Sequence, residues 1–166
     1  MQILFNDEND RLTPEMRKLM QQAADEAFRV EFADEIEAAG FENEPEIGVT
    51  LVDDNTIREL NRDYRENDNV TDVLSFPQFE GHDDLLDDLE DDVISTLIGD
   101  VVICYEQAVR QAEEYGTGLT REMLYLFVHS IEHLFGYDHM EEDEKAVMRA
   151  REEEVLSAIG VTREQQ

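Results

Sequence analysis

Apolar residues recur along the chain in two rhythms, and their alternation predicts the elements. Short runs rich in β-branched residues predict strands at 3–6, 47–52, 73–76 and 98–104, the third closed by Pro77. Between the first two, Met16, Leu19, Met20, Ala23, Ala27 and Val30 follow helical spacing. Thr13 supplies the N-cap of that helix, Pro14 its first position and Glu15 an acidic first turn; Gly40 ends it or its continuation. Asp53 or Asp54 caps a helix with Ile57, Leu60 and Tyr64 on one side. A helix over 105–115 stops at Gly116-Thr117-Gly118, Thr120 and Glu122 open the next, and 142–159 forms the last. Ala146, Val147, Ala150, Val155 and Ile159 are the residues of that last helix available to face inward. Four strands and about five helices alternate without the regular unit of a doubly wound sheet, so the expected class is α+β. One domain over 1–166 is expected.

Residues 80–92 are mostly acidic and break the rhythm. They lack the glycine and terminal glutamate of an EF-hand loop, so a solvated, mobile acidic excursion is expected rather than a calcium site. His82 sits alone within it and is not read as a ligand.

Charge narrows the function classes. There are 43 Asp and Glu against 13 Lys and Arg, a formal net charge of −30. Lys18 and Lys145 are the only lysines. Self-repulsion at this level is relieved by salt, and two origins fit: adaptation to high salt, or a surface redesigned for solubility. Non-specific nucleic-acid binding needs a basic face, so an anionic substrate must be met by a local cationic site. Cys104 is the single cysteine, which excludes an internal disulfide and suits a reducing, cytoplasmic compartment. It is read as a small packed apolar residue. The first residues lack the basic and apolar regions of a signal peptide, and no stretch is apolar for the length of a membrane crossing.

The chemistry concentrates in His129-Ser130-Ile131-Glu132-His133-Leu134-Phe135-Gly136-Tyr137-Asp138-His139. His129 and His133 stand four apart on a predicted helix, one turn from each other on the same face. Gly136 ends the helix and turns the chain, bringing His139 to where a third ligand approaches. Three protein ligands leave the fourth tetrahedral position of a zinc ion for water, the catalytic arrangement. Zinc lowers the pKa of that water toward ~7. Three of only four histidines fall in this short segment at ligand spacing, which outweighs the reading of three unrelated side chains. One Zn2+ per chain is expected, and no small-molecule cofactor. Asp138 is either a residue that orients a ligand or an exposed turn aspartate.

This segment resembles the signature of the YbeY family, bacterial rRNA-maturation endoribonucleases, which runs His-Gly/Ser-x-x-His-Leu-x-Gly-Tyr-Asp-His. Residues 61–77 are similar to the family's second motif and Gly99-Asp100-Val101-Val102-Ile103-Cys104 to a third, in the family's order. The resemblance implies a small mixed sheet, with the zinc site on a helix and its following turn. It implies hydrolysis of a phosphodiester in single-stranded rRNA, notably at the 3′ end of 16S rRNA on the small ribosomal subunit. Arg65 falls on the arginine that the family places near the metal. A guanidinium there suits the extra negative charge of pentacoordinate phosphorus. Arg58 and Arg62 share its helical spacing but are read as surface residues paired with Glu59, Asp63 or Glu66. By analogy, Thr71, Asp72 and Ser75 line the cleft, Asp72 being equally well a turn residue. Asp100 is read as a structural acid.

Glu132 departs from the family, which usually has an apolar residue there. Tyr125, Val128, Glu132 and Phe135 fall on one side of the helix, and burying a lone carboxylate is costly. Two outcomes are open: the side chain reaches water at the helix edge, or it leans toward the metal as base, ligand or orienting partner. The change also creates His-x-x-Glu-His, the inverted-zincin pattern, so a zinc peptidase is the second reading. A non-catalytic, metal-stabilised ribosome assembly factor is the third. Glu132→Leu is expected to keep one zinc per chain by elemental analysis; loss of stoichiometric zinc would count against the alignment at this position.

Overall fold

A computed structural model describes residues 1–38, 40–41, 43–91, 95–137 and 141–161. The predicted site residues Asp138 and His139 lie outside these. The chain runs β1 (Gln2–Asn6), α1 (Pro14–Glu31), α2 (Ala33–Ala38), β2 (Glu44–Val52), α3 (Asp54–Arg65), β3 (Val73–Pro77), α4 (His82–Glu90), β4 (Ser95–Cys104), α5 (Tyr105–Tyr115), α6 (Leu119–Leu134) and α7 (Glu142–Ala158). The sheet order is β1-β2-β4-β3; β1 and β4 run parallel to β2, and β3 runs antiparallel to β4. The class is α+β with a mixed four-stranded sheet. Pro77 is tolerated because β3 is an edge strand.

Local chemistry explains the helix starts. Thr13 Oγ1 accepts from Met16 N–H, and Asp53 Oδ1 from Thr56 N–H, each satisfying an otherwise orphan donor. Burial then holds α6 at the centre, with Met123, Leu124, Phe127, Val128 and Ile131 fully enclosed between the sheet and helices α1, α5 and α7. Gly99 on β4 makes room for the end of α6: a Cβ there would stand 2.6 Å from the Phe76 carbonyl oxygen and 2.8 Å from Leu134 Cδ2.

The described residues hold seven helices rather than about five. The acidic excursion is the main correction. Residues 82–90 form α4, because Leu85 and Leu89 fall one turn apart and are buried. Asp83 and Asp84 sit in its first turn, where the helix dipole favours negative charge. Most of the acids therefore face outward from a helix with an apolar seam, while Asp88 turns in to accept from the buried Thr96 hydroxyl. The inward face of α7 is also corrected. It consists of Met148, Glu152, Val155 and Leu156, whereas Val147 is half exposed. A carboxylate belongs to this buried stripe, which the apolar pattern alone does not reveal.

Glu132 does not reach water. It is 2% exposed, and its Oε2 has no hydrogen-bond partner among the described residues. Burial first, and then the Glu31 carboxylate, push its pKa up to about 8, while Arg151 pulls the other way. At neutral pH the side chain is largely protonated, which removes most of the cost of an enclosed charge.

Two predictions follow from these positions. Gly136 has φ +104°, and a Cβ there would stand 3.0 Å from Gly81 Cα. Gly136→Ala is expected to cost about 2 kcal/mol or more in urea unfolding; an unchanged midpoint would refute the close approach. For Glu132, the folded chain keeps a proton that the unfolded chain loses between the ordinary value of 4.5 and about 8. Stability should therefore fall as pH rises across that window and level off above it, by roughly 3–5 kcal/mol at most. In chelator-treated protein, Glu132→Leu should flatten this decline; parallel curves for the two proteins would refute the assignment.

Candidate functional site

A cleft of about 710 Å³ opens between the C-terminal half of α6 and β3, lined among others by Arg65, Asp72, Ser75, Tyr125, His129 and His133. The helical spacing of the two histidines brings their rings together as expected. Their centroids are 4.7 Å apart and the ring planes nearly perpendicular.

The hydrogen bonds at the far side of each ring decide what the near side offers. His129 Nδ1 lies 2.5 Å from Glu152 Oε1, and His133 Nδ1 lies 2.9 Å from the Tyr137 carbonyl oxygen. Both partners are acceptors, so each Nδ1 carries the proton and each Nε2 presents a lone pair in the neutral ring. These two Nε2 atoms are 3.3 Å apart. Two lone pairs so placed repel unless a proton or a cation lies between them. Two nitrogens each ~2.0–2.1 Å from one tetrahedral zinc stand about 3.3–3.4 Å apart. The donor type, tautomer and spacing therefore fit a zinc ion. Among the described residues no group of three His, Cys, Asp or Glu side chains has metal-holding geometry. The third predicted ligand, His139, lies outside those residues, as does Asp138.

The opposite wall carries Arg65. Its Nη2 donates to the Ser75 carbonyl at 2.6 Å and its Nη1 to the Tyr64 carbonyl at 3.3 Å, while the guanidinium lies 5.3 Å from the Phe76 ring centroid. No carboxylate among the described residues ion-pairs with it. Its remaining N–H groups are free to meet an anion. Arg58 and Arg62 differ in this respect. Arg62 pairs with Asp63 as expected, and Arg58 with Asp68, ten residues away. The same α3 helix thus carries three arginines but offers one uncommitted guanidinium to the cleft.

Hydrogen bonds lock the two walls together. Ser75 Oγ and Ser130 Oγ are 2.5 Å apart, joining β3 to α6 beside the histidines. Gln111 on α5 donates to Asp72 Oδ2 and to Glu122 Oε1. Asp72 also accepts from Val73 N–H, so it is a strand-entry residue as well as a cleft residue. Burial, opposed by the Gln111 hydrogen bond, raises the Glu122 pKa. Behind the cleft, the Tyr137 hydroxyl donates to Glu31 Oε2, and His82 Nδ1 lies 2.6 Å from Glu31 Oε1. Burial and the Glu31 carboxylate push the Tyr137 phenol up to about 12. His82 is thus a structural partner of α1, stacked on Phe32, and does not line the cleft.

Glu132 is likewise absent from the cleft lining. Its carboxyl lies in the interior, with Glu31 and Arg151 as the leading charges acting on it. Cys104 is fully buried, its thiol pushed up to about 12 by burial and donating to Asp54 at 3.3 Å. It packs as a core residue. Glu152, the Tyr137 carbonyl and Ser130 are neighbours of the cleft's histidines or walls that the sequence reading does not single out, whereas Ser75 lines the cleft. For Glu152 a signal was present, because it falls four residues after Met148 on the buried stripe of α7.

Comparison with known proteins assigns the scaffold. The family model described as Endoribonuclease YbeY matches residues 2–160. Endoribonuclease YbeY of Caldicellulosiruptor bescii is 51% identical over 121 residues, covering 71% of this chain and 75% of the relative. Its namesake in Heliobacterium modesticaldum is 42% identical over 169 residues, covering 99% of both chains. The solution structure of TM1509 from Thermotoga maritima shares the fold, with TM-score 0.56 and 24% identity over 94% of this chain and 90% of that one. This chain belongs to the YbeY family of endoribonucleases, hydrolases whose substrate is RNA.

Proposed function

We propose that this protein is a zinc-dependent endoribonuclease of single-stranded rRNA that matures the 3′ end of 16S rRNA on the small ribosomal subunit, in the cytoplasm. The observation that carries this reading is a single cleft with two imidazole lone pairs 3.3 Å apart on one wall and an uncommitted guanidinium on the other. His129, His133 and His139 would hold one zinc. When bound, zinc supplies a water of lowered pKa and an electrophilic contact for a phosphoryl oxygen.

The protein's own groups do the rest. Glu152 and the Tyr137 carbonyl keep the Nδ1 protons in place, fixing the tautomer that leaves Nε2 for the metal. Arg65, anchored by two carbonyls, holds the scissile phosphate and stabilises the charge that grows on its equatorial oxygens. The Ser75–Ser130 contact fixes the spacing of the walls. Asp138 is proposed as an orienting partner of a ligand. A peptidase of inverted-zincin type needs Glu132 as base beside the metal-bound water. The enclosed position of Glu132, away from the cleft lining, disfavours that reading.

Elemental analysis should find one zinc per chain, lost in His129→Ala. Glu152→Gln should weaken zinc binding about 10–100-fold in a chelator competition. On a 3′-extended small-subunit rRNA precursor, His133→Ala should abolish cleavage and Arg65→Ala should lower it about 10²–10³-fold. Equal cleavage by these variants would expose a contaminating nuclease. Ribosome binding that survives Arg65→Ala, with no hydrolysis at any dose, would favour the assembly-factor reading instead.

A further inference from the structure

The described arginines divide by what they meet. Arg17, Arg29, Arg58, Arg62 and Arg110 are each paired with a carboxylate. Arg149 is exposed and has no carboxylate partner among the described residues. Among the described residues Arg11, Arg121 and Arg151 also lack an acid, but Arg11 lies over the Tyr105 ring and the other two donate to the Val161 and Val30 carbonyls, so what matters for Arg149 is its location.

Arg149 lines a hollow of about 210 Å³ with Tyr125, His129, Lys145, Met148 and Glu152. The hollow shares Tyr125 and His129 with the cleft, so the two adjoin across those residues. Lys145, one of only two lysines, stands one helical turn before Arg149 on the same face of α7. Its ammonium has only a loose contact with Glu142, at 3.7 Å to a carboxylate that is 93% exposed. Such a pair is readily exchanged for a better anion. The acid in the hollow, Glu152, directs Oε1 at His129 Nδ1 and its side chain is 5% exposed. Tyr125 stacks on His129, the planes inclined by 22° and the centroids 5.9 Å apart. It forms an aromatic divide between the two cavities.

We infer that the Lys145–Arg149 face of α7 is a second phosphate subsite, taking the backbone of single-stranded RNA next to the phosphate held at His129, His133 and Arg65, with a base against Tyr125. Single-stranded nucleic acid is bound by this combination of cationic track and aromatic platform. The inference rests on the endoribonuclease reading and adds the direction in which the strand leaves the site. It also reconciles an acidic protein with an anionic substrate, because Arg65 on one side and Lys145 and Arg149 on the other border the histidines.

The test uses the full chain, treated with chelator so that no RNA is cut, and a fluorescent single-stranded 10-mer oligoribonucleotide. Anisotropy is followed from low to moderate salt. Arg149→Glu and Lys145→Glu should each weaken binding about fivefold or more and reduce the salt slope by about 0.7. Arg11→Glu is the matched control. It makes the same change in net charge as Arg149→Glu at an exposed arginine lining a different cavity, and should have little effect. A dinucleotide with a single phosphodiester, too short to reach α7, should bind wild type and the α7 variants alike. Equal losses in Arg11→Glu and Arg149→Glu would overturn the subsite, since only the global field would then matter. Absence of any RNA binding by the wild type would overturn it together with the nuclease reading. The predicted pattern in a metal-loaded protein that cuts no RNA would uphold the subsite and sink the nuclease reading alone.

Discussion

The site depends on two hydrogen bonds at the backs of two imidazoles. With Nδ1 of His129 facing a carboxylate and Nδ1 of His133 facing a carbonyl, neither ring is free to turn or to change tautomer. The helix supplies the spacing of the rings, but these acceptors supply their chemical identity as lone-pair donors. Each comes from a different part of the chain: Glu152 from the buried face of α7, Tyr137 from the turn that Gly136 makes possible. Packing of α7 and the left-handed glycine are therefore requirements of the chemistry and not only of the fold.

Electrostatics divides the molecule in a comparable way. Most acids lie on the surface, where their mutual repulsion is softened by solvent and salt. Inside, carboxyl groups are either engaged, as Glu31 and Glu152 are, or forced toward the neutral form, as burial does to Glu132. Half of the described arginines are neutralised in place by neighbouring acids. Arg65 escapes this because backbone carbonyls, which carry no formal charge, hold it. A guanidinium fixed by carbonyls keeps its full charge for a ligand, whereas one fixed by an acid has already given it up.

Much of this was legible in the sequence where one rule dominates. The N-caps at Thr13 and Asp53, the four strands and the facing histidines follow from spacing and from residue types with few alternatives. Over residues 82–90 the acidic content masks a two-leucine seam, because a count of charge cannot see which face the charges occupy. The α7 face is illegible for the opposite reason: an apolar pattern points only to apolar members of a buried stripe, and one member here is Glu152. Glu132 admitted two local outcomes, water or metal. The structure encloses the side chain away from water and outside the cleft lining, because tertiary packing closes over it. Such outcomes depend on partners a hundred residues away, which no window of sequence contains.

The contact between Glu31 and Tyr137 spans 106 positions and joins the end of the first helix to the turn that orients His133. The three signature motifs all lie after residue 60, yet this tether draws the motif-poor beginning of the chain into the surroundings of the two histidines. Grafting the signature segments onto another scaffold would import the histidines without the clamp that steadies one of them. The structural unit in this architecture is consequently larger than its recognisable patterns, because the first helix helps to hold a turn far along the chain.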